Sequence, residues 1–120
     1  MKVLIVDDSK TMRMIVKRTL RQAGFDGVAV EEASNGSEAL ALIAKAAPDL
    51  VLSDWNMPEM SGIELLQKLR AMGSPVRLGF VTSEGTAEMR HVAKEAGALF
   101  LLAKPFTPGM MHSTLSPFLG

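Results

Sequence analysis

Short apolar runs alternate along this chain with longer stretches in which apolar residues recur every three or four positions. The runs are Val3-Leu4-Ile5-Val6, Leu50-Val51-Leu52, Leu78-Gly79-Phe80-Val81 and Leu99-Phe100-Leu101-Leu102-Ala103, with a shorter, more polar one around Val28-Ala29-Val30. Three to five consecutive apolar residues suit a strand covered on both faces, and the three-to-four spacing suits an amphipathic helix. The pattern predicts strands near Lys2–Val6, Val28–Glu32, Leu50–Ser53, Leu78–Val81 and Leu99–Ala103. The polar character of the second suits a sheet edge.

Between the strands the period predicts five helices. The first spans Ser9–Ala23, capped by Ser9, with Met12, Ile15, Val16, Thr19, Leu20 and Ala23 on one face and Gly24 ending it. The second spans Ser37–Ala46 and turns Ala39, Leu40, Ile43 and Ala44 inward before Pro48. The third spans Gly62–Met72, with Ile63, Leu66 and Leu69 inward and Gly73 after it. The fourth spans Thr86–Ala96, with Met89, Val92, Ala93 and Ala96 inward and Gly97 after it. The fifth opens with Thr107 as cap and Pro108 at its first position. Met110, Met111, Leu115 and Phe118 are its apolar residues. Pro117 is expected to kink or end it, because proline lacks the amide hydrogen a helix needs. Strands alternating with helices imply a doubly wound α/β fold around a parallel sheet, as a single domain over residues 1–120.

Composition narrows the function. Lys plus Arg and Asp plus Glu both number 13, so the formal charge is zero and nothing points to nucleic acid or an anionic membrane. The absence of cysteine removes disulfides, thiolate metal sites and thiol catalysis. No apolar stretch approaches the roughly 20 residues of a membrane helix. The N-terminus passes directly into Lys2-Val3-Leu4-Ile5-Val6-Asp7, unlike a signal peptide. A soluble cytoplasmic location is expected, and the end at Phe118-Leu119-Gly120 fits a natural single domain.

The candidate chemistry lies where the strands end. Asp7 and Asp8 follow the first strand, Asp54 the third, Thr82 the fourth and Lys104-Pro105 the fifth. In a parallel α/β sheet these ends share one edge, where ligands bind. An acid after a strand is by itself most often a helix cap. The ordered set is far less ordinary, since clustered carboxylates repel unless a cation neutralises them. Oxygen-only donors suit a hard cation such as Mg²⁺.

With these residues placed, the chain resembles the receiver domain of two-component response regulators, and within it the single-domain chemotaxis regulators of the CheY type. The resemblance rests on Val6-Asp7-Asp8-Ser9 with Thr11-Met12-Arg13, on Ser53-Asp54-Trp55-Asn56-Met57-Pro58, and on Gly62, Thr82 and Lys104-Pro105-Phe106-Thr107. It implies a flavodoxin-like (βα)5 fold with strand order 2-1-3-4-5. It implies Asp54 as phosphoryl acceptor. Mg²⁺ would be held by Asp8, Asp54 and the backbone carbonyl of Asn56, with Asp7 reaching it through water. Lys104 would contact the phosphoryl oxygens, Thr82 would hydrogen-bond them after transfer, and Lys104-Pro105 would be cis. The implied partners are a histidine kinase as donor and a downstream target, with the flagellar motor switch or another chemotaxis component as candidates. The implied protein is a monomer and not an enzyme, beyond catalysing its own phosphorylation and dephosphorylation.

Several residues admit two readings. Asn56 and Glu84 occupy positions that in the family tune phosphoryl loss, and are otherwise solvated loop side chains. Trp55 beside the acceptor would sense the site through its emission, or is simply a loop aromatic. His91 and His112 read as surface residues rather than ligands. Of Met110 and Met111, at least one is expected in the core and the other on an adaptable surface.

The chain also departs from the family. The aromatic switch position three before the lysine holds Leu101, while Phe100 next to it should face the opposite side of the sheet. Gly79 inside the fourth strand calls for something packed close against it. The output face formed by the fourth helix, fifth strand and fifth helix would present Arg90, Leu101, Thr114 and Met111. Two other functions stay open: a pseudo-receiver that binds partners without phosphorylation, and a Mg²⁺-dependent aspartyl phosphatase. The phosphatase lacks support from the acids two apart and the cap insertion such enzymes carry.

Overall fold

The computed structural model describes residues 1–119. Its elements are β1 (Lys2–Val6), α1 (Lys10–Gln22), β2 (Ala29–Ala33), α2 (Gly36–Lys45), β3 (Leu50–Ser53), α3 (Gly62–Ala71), β4 (Leu78–Thr82), α4 (Ala87–Glu95), β5 (Leu101–Ala103) and α5 (Pro108–Leu119). All the strands are parallel and lie in the order β2-β1-β3-β4-β5. This is the flavodoxin-like arrangement, with its order reversing between β1 and β3, and the cleft at such a reversal is where α/β folds bind ligands.

Strand pleating divides the core in two. Leu4, Val6, Val51, Leu78, Phe80 and Leu101 face α2, α3 and α4, where they meet Ala39, Ile43, Leu65, Leu66, Leu69 and Ala93. Val3, Ile5, Leu50, Leu52, Val81 and Leu102 face α1 and α5, where they meet Val16, Leu20, Met111 and Leu115. The predicted caps are present. Ser9 Oγ accepts from the Met12 amide at 3.2 Å and Thr107 Oγ1 from the Met110 amide at 3.0 Å. Gly24, Gly73 and Gly97 end α1, α3 and α4 with positive φ, a conformation glycine adopts without a Cβ penalty.

Some expectations need correction. β2 begins one residue later, at Ala29. β5 is only Leu101–Ala103, although the Leu99 amide still donates to Leu78 O and the Phe80 amide to Phe100 O. Pro117 does not end α5, which continues to Leu119. Proline there removes only the bond to the carbonyl of exposed Ser113, which water can satisfy, and the helix has two residues left to run. On α3 the core stripe is Gly62, Leu65, Leu66 and Leu69, and Ile63 is only half-buried. Gly62 sets that rotation, because a Cβ on it would lie 2.2 Å from the Asp54 carbonyl and 2.8 Å from the Phe80 ring. Ala44 and Val92 are exposed, so α2 and α4 each bury a narrower stripe than their apolar content suggests.

Candidate functional site

Register builds the site before any side chain is considered. Val6 of β1 lies opposite Ser53 of β3, so Asp7 and Asp54 leave the sheet side by side. The ladder continues one residue past each strand. The Asp7 amide donates to Ala33 O at 3.1 Å, Asp54 to Val6 O at 2.8 Å and Lys104 to Thr82 O at 2.7 Å. The backbones carrying two acids and the lysine are thus held by the sheet itself.

Side chains then converge. Carboxylate oxygens of Asp7, Asp8 and Asp54 lie within 4.8 Å of one another. Asp7 is buried, its Oδ1 accepting from the Ser9 amide at 2.9 Å and its Oδ2 lying 3.5 Å from Lys104 Nζ. Asp8 is exposed at the mouth. Asp54 Oδ1 accepts from the Trp55 amide at 2.8 Å and lies 3.7 Å from Lys104 Nζ. Burial pushes the Asp54 carboxyl above its ordinary 3.8, Lys104 opposes that, Asp7 adds to it, the Trp55 amide opposes it and Asp8 adds a little more. Three carboxylates around one ammonium leave two negative charges uncompensated, and only oxygen donors line the gap. That donor set fits a hard divalent cation.

The rim carries the remaining predicted residues. Thr82 is fully buried, its Oγ1 accepting from the Glu84 amide at 3.3 Å. Asn56 and Glu84 are both exposed. The Trp55 ring packs on Phe80 with centroids 4.7 Å apart, and Gly62 N donates to Trp55 O at 2.7 Å, which ties the acceptor loop to α3. The Lys104–Pro105 peptide is cis.

Other sequence expectations resolve individually. His91 is exposed on α4. His112 lies away from the acids, its Nδ1 2.9 Å from Ala23 O and its ring stacked on Phe25, so it fastens α5 to α1. Phe100 and Leu101 point to opposite faces as expected. Phe100 lies over Gly79 and stacks on Phe118 at 5.8 Å. The expected output face needs correction, since Leu101 and Met111 are buried in the core. Arg90 is exposed there as expected, with Met110 of α5 and Leu99 just before β5 also exposed, and Thr114 is half-buried. Sequence reasoning missed two contacts. Arg90 Nη1 donates to Leu101 O at 2.9 Å, tying α4 to β5, and Arg13 reaches back to Asp7. The first turn of α1 carries Lys10 and Arg13 and no acid, against the helix dipole, but that pattern does not say which of the two cations finds an acceptor or which acceptor it finds.

A doubly wound sheet with an acid-and-lysine pocket at its switch point defines a flavodoxin-like receiver fold. The chain belongs to the response regulator receiver domain family, whose model matches residues 3–116. It is 44% identical to a chemotaxis protein CheY homolog of Campylobacter jejuni, over all of this chain and 93% of that protein. Chemotaxis protein CheY1 of Helicobacter pylori is 41% identical, over all of this chain and 98% of its own length. Among solved structures, the chemotaxis protein CheY4 of Vibrio cholerae superposes with a TM-score of 0.86 at 39% identity, covering 98% of both chains. Membership makes this a two-component signalling domain and not a classical enzyme.

Proposed function

We propose that this chain is a phosphorylation-controlled switch in which Asp54 accepts a phosphoryl group from a histidine kinase. The convergence of Asp7, Asp8 and Asp54 around Lys104 carries this reading. Asp8, Asp54 and the carbonyl of Asn56 would hold Mg²⁺, with Asp7 behind them. The bound ion would supply positive charge to the phosphoryl oxygens and relieve the repulsion among the acids.

An Asp54 carboxylate oxygen attacks phosphorus in line with the phosphohistidine P–N bond. That bond breaks, the imidazole nitrogen keeps the electron pair and is protonated, and Asp54 becomes an acyl phosphate. Lys104 already lies within 3.7 Å of Asp54 and neutralises charge on the transferred group. Its work is positioning and electrostatics, which dominate phosphoryl transfer. Water later attacks the mixed anhydride and returns the carboxylate and inorganic phosphate. Asn56 and Glu84 stand at the exposed rim where that water enters, and they set its rate.

Thr82 Oγ1 turns from the Glu84 amide toward the phosphoryl group. That releases the Ser83–Thr86 loop and alters the α4–β5–α5 face read by a target. Phosphorylation thus shifts an existing equilibrium by differential contacts. The chemotaxis relatives make a chemotaxis component, the flagellar motor switch among them, the favoured target class. We assign residues 1–120 to one receiver unit acting as a cytoplasmic monomer.

Intact mass after incubation with acetyl phosphate and Mg²⁺ tests the proposal, with Asp54→Asn alongside. One added phosphoryl group in the wild type alone is the expected result. No addition to the wild type, with beryllofluoride leaving Trp55 emission unchanged, would overturn the proposal and put a phosphorylation-independent binding module first.

A further inference from the structure

Arg13 belongs to the sequence signature, yet nothing in the phosphoryl chemistry uses it. It lies in the first turn of α1, which holds no acid and where the helix dipole disfavours a cation. Its side chain is nonetheless only 14% exposed. Nη1 donates to the backbone carbonyl of Asp7 at 2.7 Å, and Nε donates to Glu32 Oε1 at 3.0 Å. Among the described residues, Arg13 makes no ion pair with Asp7, Asp8 or Asp54.

The carbonyl it holds belongs to the peptide joining Asp7 to Asp8. The plane of that peptide decides where the two successive side chains point. Asp7 must turn into the buried pocket while Asp8 stands exposed at its mouth, with their oxygens still within 4.8 Å. Glu32 supplies the fixed end of the brace, because it sits in β2 paired with Ile5 of β1. The edge strand thereby supports the acid pair through a guanidinium whose planar fork can serve both acceptors at once.

We infer that Arg13 is a positioning residue for the cation site, orienting the Asp7–Asp8 peptide so that both carboxylates address one ion. This rests on the proposal that Asp7, Asp8 and Asp54 bind Mg²⁺. Positioning and simple electrostatics predict opposite signs. A guanidinium near the site repels a divalent cation, so removing it for charge reasons alone would tighten binding. Removing a brace would weaken it.

The test is calorimetric titration of the metal-free protein with Mg²⁺ at fixed ionic strength, for wild type, Arg13→Ala and Arg13→Lys. Melting of each without Mg²⁺ is recorded alongside. The dissociation constant should rise about tenfold in Arg13→Ala, the low end for residues that orient metal ligands. It should also rise in Arg13→Lys, which keeps the charge but cannot make both directed bonds. Phosphorylation by acetyl phosphate at saturating Mg²⁺ should recover to within about twofold of wild type, as expected of an effect on ion affinity. Unchanged or tighter Mg²⁺ binding in both variants, with only the metal-free melting temperature lowered, would reduce Arg13 to a structural contact and overturn the inference. A wild type that gives no saturable heat would sink the cation site itself, a separate and recognisable failure.

Discussion

Asp54 carries the most consequential conflict at the scale of single residues. Its carboxyl is pushed above 3.8 chiefly by burial, so the folded chain holds that proton more tightly than the unfolded chain does. Stability from this group is therefore complete below 3.8 and is lost as pH rises through the higher folded value. At neutral pH ionised Asp54 weighs against the metal-free fold. Asp54→Asn should raise the melting temperature in a chelator at pH 7, and the gain should shrink toward zero near the ordinary carboxyl value of 3.8. Melts of both proteins at two pH values decide this, and a gain that grows on acidification would refute the sign. Residues such as Asp7, Asp54 and Lys104 were legible because each directly follows a predicted strand. Arg13 and Arg90 were not, because nothing in one dimension says which carbonyl a long, flexible side chain will fold back to meet.

At the scale of elements, β4 and β5 show one glycine deciding how two strands pack. A Cβ on Gly79 would lie 2.1 Å from the Phe100 ring. Gly79→Ala should cost about 1–3 kcal/mol, as overpacking in a dense core does. Trimming Phe100 to Leu in the same chain should recover part of that loss, read by urea denaturation. Additive losses would mean the two residues are not coupled. The bond from Arg90 to Leu101 O gives a second expectation. Arg90→Ala should raise amide exchange over Ala93–Ala96 by about five- to tenfold, the effect of losing roughly 1 kcal/mol from one partly exposed hydrogen bond. Exchange indistinguishable from wild type would mean that α4 does not depend on that tie. Element existence and ends were readable from runs, caps and glycines. The shortness of β5 and the persistence of α5 through Pro117 were not, since each depends on what the neighbouring backbone leaves exposed.

For the whole molecule, a cation held by Asp7, Asp8 and Asp54 would link the site to the fold. An ion that binds only the folded chain stabilises it by about 2.7 kcal/mol at a concentration 100 times its dissociation constant. For a domain of this size that is roughly a 10 °C rise in melting temperature. The rise should be much smaller in Asp54→Asn, which lacks one donor, and equal shifts in the two proteins would place the ion elsewhere. Strand order was not readable from periodicity, which gives elements but not neighbours, and the family resemblance supplied it. Register then did what neither could, by bringing Asp7 and Asp54 level across β1 and β3.

The division of the core by the sheet has a mechanical consequence. Phe100 locks onto Phe118, and His112 onto Ala23 and Phe25, all on the side away from Thr82's loop. That side is a keel. On the other side Arg90 is bonded to Leu101 O beneath the loop, with Gly85 of the loop close above them. A protein that grips both α4 and α5 would hold one wall that yields and one that stands still. It would sense the difference between them as a change in angle, with no need for either helix to unfold.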